Sequence, residues 1–160
     1  DRNDDETITA DFMKDKSAKH IVSGGTSATI LSRELGRPLR VSMDYSDPDI
    51  PPIAFMEGID LVTEGVLTLR KAIELLKRYL IECDLSSEFF SELDKKNGAS
   101  MIAKILIEDC TELHMFVGTA ANSAYQNPGL AFDLGIRQNL VKQLKEAVEG
   151  MGKKVTVTYY

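Results

Sequence analysis

The stretch Ile59-Asp60-Leu61-Val62-Thr63-Glu64-Gly65-Val66 decides how the rest of the chain is read. Ile59 to Thr63 is a short apolar run, the pattern of a strand covered on both faces. Glu64-Gly65 breaks it. Val66, Leu69, Ile73, Leu76 and Leu80 then recur at spacings of three and four, the stripe of a helix facing a core. A strand that feeds a helix through a two-residue turn is the repeating unit of an α/β fold.

The same unit stands upstream. Lys19 to Ser23 reads as a strand ended by Gly24-Gly25, and Ser27 to Leu35 as a helix stopped by Gly36 and Pro38. Before it, Asp4 or Asp5 caps a first helix with Ile8 and Phe12 on one face. Leu39 to Asp44 alternates as a second strand. The loop from Tyr45 to Ile53 follows, where Pro48, Pro51 and Pro52 forbid helix and discourage a central strand.

Downstream, Ser87 to Leu93 and Ala99 to Asp109 read as helices separated by the turn signal Asn97-Gly98. Leu113 to Val117 is a fourth strand, and the loop Thr119 to Leu130 follows it. Leu134 to Glu149 is the last helix, with Leu140, Val141, Leu144 and Val148 on its buried side. Lys154 to Tyr159 closes the chain as a period-2 strand, which either stays an edge or pairs with a second copy in a homodimer. This rhythm predicts an α/β fold, a three-layer Rossmann-like open sheet of about five mostly parallel strands over residues 1–160 as one domain.

Composition narrows the function classes. The 160 residues are 43% apolar, enough to offset chain entropy, so a disordered tail is excluded. The net charge of −6 and the scarcity of aromatics argue against a nucleic-acid binder, which needs a basic footprint. No run approaches the length of a membrane span and no signal segment is present, so the expectation is no membrane partner and a cytoplasmic location. Cys83 and Cys110 fit no zinc spacing and read as buried free thiols. Beginning at Asp1 rather than Met, the chain reads as the carboxyl-terminal part of a longer protein.

Ligands of open α/β sheets bind beyond the carboxyl ends of the strands. Three such ends are chemically distinctive here. Gly24-Gly25-Thr26-Ser27 lets backbone approach a ligand and offers free amides and hydroxyls to an anion; the plainer reading is a tight turn with Ser27 as helix cap. Glu64, beside Gly65, stands where a carboxylate holds a hard cation or takes a substrate proton, or simply favours the helix N-terminus. Asp44 would join it around Mg²⁺ or Mn²⁺ if their strands are neighbours, whereas Asp47 and Asp49 read as solvated turn residues. Gly118 to Asn122 offers small side chains and amides to a polar ligand, with Asn122 as the candidate contact. His20 and His114 read as structural, and no nucleophile–histidine constellation is visible.

The stretches Val22 to Ser27 and Ile59 to Val66, with Asn122 to Pro128 and Gly152-Lys153-Lys154-Val155, resemble the carboxyl-terminal region of SpoIIE-type bacterial serine phosphatases. The resemblance implies a metal-dependent phosphatase lineage acting on phosphoserine proteins in sporulation-like programmes, with Glu64-Gly65 where the family has an Asp-Gly pair that helps hold Mn²⁺ or Mg²⁺. It also implies the alternative fold, the α/β sandwich of the metal-dependent phosphatases. The chain contains no Asp-Gly dipeptide, and Asp109 or Glu112 matches the family's late acidic motif only loosely. The expectation is therefore a separate domain beside a phosphatase module. The competing expectation is a non-catalytic Rossmann-like regulatory module that binds a small phosphorylated or nucleotide ligand.

Overall fold

The computed structural model describes residues 2–44, 47–82, 84–119 and 130–160, with side chains in the last stretch described from residue 135. The architecture is α/β. Helix α1 (Arg2–Met13) leads to strand β1 (Ile21–Ser23) and helix α2 (Gly25–Leu35). Strands β2 (Arg40–Val41), β3 (Ala54–Phe55) and β4 (Leu61–Thr63) follow, then helices α3 (Val66–Ile81), α4 (Ser87–Leu93) and α5 (Gly98–Lys104). A π-helical turn over Ile105–Asp109 extends α5, and strand β5 (Glu112–Val117), helix α6 (Leu130–Gly150) and strand β6 (Lys154–Tyr159) complete the chain.

The strands form a four-stranded mixed sheet in the order β1-β4-β3-β2 and a two-stranded parallel sheet of β5 and β6. β1 and β4 run parallel, with Val22 opposite Val62, whereas β3 is antiparallel to both β4 and β2. This differs from one mostly parallel sheet of five strands. The sequence reading assigned no strand between Pro52 and Ile59, yet Ala54 and Phe55 pair on both sides, because the prolines stop just short of the residues whose N–H groups the ladder uses. Its neighbour β2 is correspondingly shorter than the run Leu39 to Asp44, although Ser42 N–H still reaches Ile53 O at 2.8 Å.

Period-2 alternation divides the interior. Leu61 of β4 belongs to the larger apolar cluster, with Ile73, Leu75 and Leu76 of α3, Ile102 and Leu106 from α5 and the turn beyond it, and Leu140, Leu144 and Val148 of α6. Val62, the next residue, belongs to a second cluster with Val22, Ala28, Leu31 and Met56, against which Phe12 of α1 packs. Ile21, Leu113, Met115 and Val155 pack against the larger cluster, so both sheets share that core. The α3 stripe holds through Leu76 but not to its end, since Leu80 is 40% exposed against Gly150. Gly36 ends α2 as expected, in the left-handed conformation at φ 64°. No helix among the described residues is long and apolar enough to cross a membrane.

Candidate functional site

The carboxyl ends of β1 and β4 lie side by side because the two strands pair in parallel, and both run straight into helices. The ladder continues one step beyond β1, with Gly24 N–H donating to Thr63 O at 2.9 Å, and Ser23 Oγ donates to Glu64 O at 3.3 Å. Gly24 turns the chain at φ 113° and ψ 138°, a conformation that a side chain would strain. A Cβ on Gly65 would lie 3.4 Å from Gly24 Cα, so the two turns touch backbone to backbone. Candidate residues Gly24 and Gly65 are thus brought together.

Gly25, Thr26 and Ser27 are exposed and form the first turn of α2. The cap position belongs to Gly24, so Ser27 is not the cap expected from its hydroxyl, and the turn carries no acidic residue. Nothing lies within 4 Å of a Cβ built on Gly25. The first amides of a helix lack intrahelical acceptors and carry the positive end of its dipole. Here the residues that carry them are exposed to solvent.

Glu64 is half-buried, and its Oε2 accepts from Thr68 N–H at 3.4 Å, so its carboxylate folds back over the start of α3. That is the plainer of its two roles, worth about 0.3–1 kcal/mol. Asp44 lies elsewhere: β3 separates β2 from β4, which puts two strand spacings of about 4.8 Å each between their ladders. The neighbour condition for an Asp44–Glu64 metal pair is therefore not met. Among the described residues no three His, Cys, Asp or Glu side chains converge as a metal centre would require. Asn122 and Cys83 fall outside the described residues.

Asp47 and Asp49 behave as turn residues, Asp47 Oδ1 accepting from Asp49 N–H at 2.9 Å. His114 Nε2 is hydrogen-bonded to Thr158 Oγ1 at 2.8 Å and its ring stacks on Phe116, while His20 is buried edge-on against Phe12. Cys110 is a free, half-buried thiol whose pKa is pushed up by burial, the opposite of what a nucleophile needs.

Sequence reasoning missed the polar seam behind the site. Thr63 and Thr68 are buried with hydroxyls that find no partner among the described residues, and both pack against Gly98. Asn97-Gly98 was readable only as a turn. In the fold Asn97 caps α5 through Oδ1 to Ser100 N–H at 2.8 Å, and Gly98 admits the two threonine methyls. No protein-family model, curated protein or solved structure matches the chain.

Proposed function

We propose that this chain is a non-catalytic regulatory module that binds a small phosphorylated ligand at the turn Gly24-Gly25-Thr26-Ser27. One observation carries the reading: the first turn of α2 is open, uncapped by any side chain and free of acidic residues, at the carboxyl end of a parallel strand pair. Backbone N–H groups at such a helix start suit a phosphate. Gly65 supports the arrangement by letting the neighbouring turn approach Gly24. A Rossmann-like, three-layer arrangement belongs to the same proposal, supported by Leu61 and Val62 facing different clusters. The resemblance to SpoIIE-type phosphatases supports a parent that dephosphorylates proteins in a bacterial cytoplasm, with this domain regulating rather than performing the reaction.

Thr26→Asp tests the reading cleanly. A carboxylate in the first turn favours the helix by about 0.3–1 kcal/mol but repels a phosphate. The expected result is an unchanged or raised Tm, with binding of inorganic phosphate or AMP at least about tenfold weaker by calorimetric titration. If neither ligand binds the wild-type chain, the reading fails. Mn²⁺ is titrated in parallel into wild type and Glu64→Ala. Micromolar Mn²⁺ binding that Glu64→Ala abolishes would move the assignment to a metal-dependent phosphatase centred on Glu64.

A further inference from the structure

Strand β2 ends its sheet, so one side of its backbone is paired with no described strand. Ser42, just beyond it, directs its N–H inward to Ile53 O at 2.8 Å. Backbone groups alternate sides along a strand, so Val41 and Met43 direct their N–H and C=O outward. Their side chains are uncovered as well, Val41 being 60% exposed and Met43 88%. Asp44 N–H is taken by Ser42 Oγ at 3.1 Å and makes no claim on the free edge.

The charges that flank this apolar pair are equally unused. Arg40 and Asp44 are exposed, and no ion pair joins either one to a described residue. Lys96 and Asp47 line the same cleft as Asp44, but both are engaged, Lys96 in an interaction of its own and Asp47 Oδ1 with Asp49 N–H.

Reversed against itself, Arg40-Val41-Ser42-Met43-Asp44 is self-complementary. Antiparallel pairing of two copies about a twofold axis at Ser42 sets Arg40 opposite Asp44 of the second copy, and Asp44 opposite its Arg40. Val41 then faces Met43 of the second copy as a hydrogen-bonded pair, since both direct their backbone groups outward. Moving the axis to Val41 or to Met43 keeps the ladder but leaves Arg40 and Asp44 without opposite charges.

We propose that this edge is a homodimer interface, a second copy of the chain adding its Arg40–Asp44 segment antiparallel to the first. The charge pairs select the occupant and the register, while Val41 and Met43 supply the apolar contact. Strand β6, the other edge open to a second copy, lacks this pattern. There Lys154 already reaches Glu112 at 3.7 Å, and Thr158 Oγ1 is bonded to His114. A five-residue ladder buries less surface than a permanent dimer does, so the association is reversible and concentration-dependent.

Sedimentation equilibrium of the whole chain, from about 10 μM to about 1 mM, is expected to show a monomer–dimer equilibrium. Arg40→Asp and Asp44→Arg each set like charges opposite one another and are each expected to weaken it about tenfold. The double variant Arg40→Asp,Asp44→Arg is expected to recover it to within about threefold. Both residues are exposed, so neither change disturbs the core. Diffuse charge predicts something different: in a chain of net charge −6, Asp44→Arg would relieve repulsion and tighten association. Ser42→Cys reads the register. Residues opposite each other in a non-hydrogen-bonded pair have Cα atoms about 4.5 Å apart, within reach of a disulfide. Oxidation is therefore expected to link two copies of this variant far more than the wild type, which has only Cys83 and Cys110. A monomer throughout, tighter association in Asp44→Arg, no recovery in the double variant, or linkage of Ser42→Cys no greater than in the wild type would each overturn the proposal. None of these readouts involves Gly24 to Ser27, so the phosphate reading stands or falls separately.

Discussion

Gly98 and Gly25 are both glycines in the first turn of a helix, and the space around them decides opposite fates. A Cβ on Gly98 would lie 2.8 Å from Thr63 Cγ2 and 3.1 Å from Thr68 Cγ2, and both threonines are buried and cannot give way. Helix propensity favours alanine over glycine by about 1 kcal/mol. The clash outweighs it, so Gly98→Ala is expected to destabilise by about 1–3 kcal/mol net. Gly25→Ala meets nothing within 4 Å and is expected to be neutral or slightly stabilising. Urea midpoints of the two variants check the contrast, and Thr63→Ser, which removes the offending methyl, is expected to restore part of the Gly98→Ala loss. A full loss in Gly98→Ala,Thr63→Ser would place the cause elsewhere. The sequence alone offered no way to separate these two residues, because close approach to Gly98 comes from Thr63 and Thr68, distant from it in the chain.

The elements were legible in proportion to their length. The stripes of α3 and α6 and the alternation of β6 identify them without help, because each repeats its period several times. β2 and β3 span two residues each, too few for any period to show, and their pairing is decided by where the proline loop returns the chain. The docking of α1 was equally invisible, since it depends on the last residue. Tyr160 OH donates to Asp11 Oδ2 at 2.7 Å, and its ring stacks on Phe116, which meets Phe12 edge-on. Burial, and secondarily Asp11, raise the Tyr160 pKa to about 12. The favoured form is the neutral phenol, whose ordinary pKa is about 10. Its contribution is therefore complete below about pH 10 and lost as the pH rises from there towards 12. Alkaline titration at the phenolate absorbance, wild type minus Tyr160→Phe, is expected to show this group ionising late. Asp11→Asn is expected to lower the midpoint only part of the way, because burial is the larger cause. A Tyr160 midpoint at the ordinary value would mean that the clasp between α1 and the carboxyl terminus does not hold.

At the scale of the whole molecule, the carboxyl-end rule located the glycine turns from sequence, but the partners of Glu64 and Asp44 depended on strand order. Inserting β3 between β2 and β4 separated two carboxylates that the linear reading could place together. The same strand order makes β4 the joint between the interiors, Leu61 serving one cluster and Val62 the other. A three-residue strand cannot keep one face packed while the other is released, so both clusters are expected to unfold as one unit. Leu31→Ala tests this from the smaller cluster, where Leu31 is buried and the substitution costs about 2–5 kcal/mol. If the unit is cooperative, the amides of Leu75 and Leu76, fully buried in the larger cluster, exchange with solvent at least about thirtyfold faster in the variant, since 1.4 kcal/mol is a factor of ten in the opening equilibrium. If α1 and α2 open on their own, those amides keep their wild-type rates and only residues around Val22 and Ala28 lose protection. The Gly24 turn sits where these two outcomes diverge. Gly24 follows β1 and touches Gly65 after β4, so a ligand held there would slow exchange in both clusters of a cooperative unit and in only one of two independent ones.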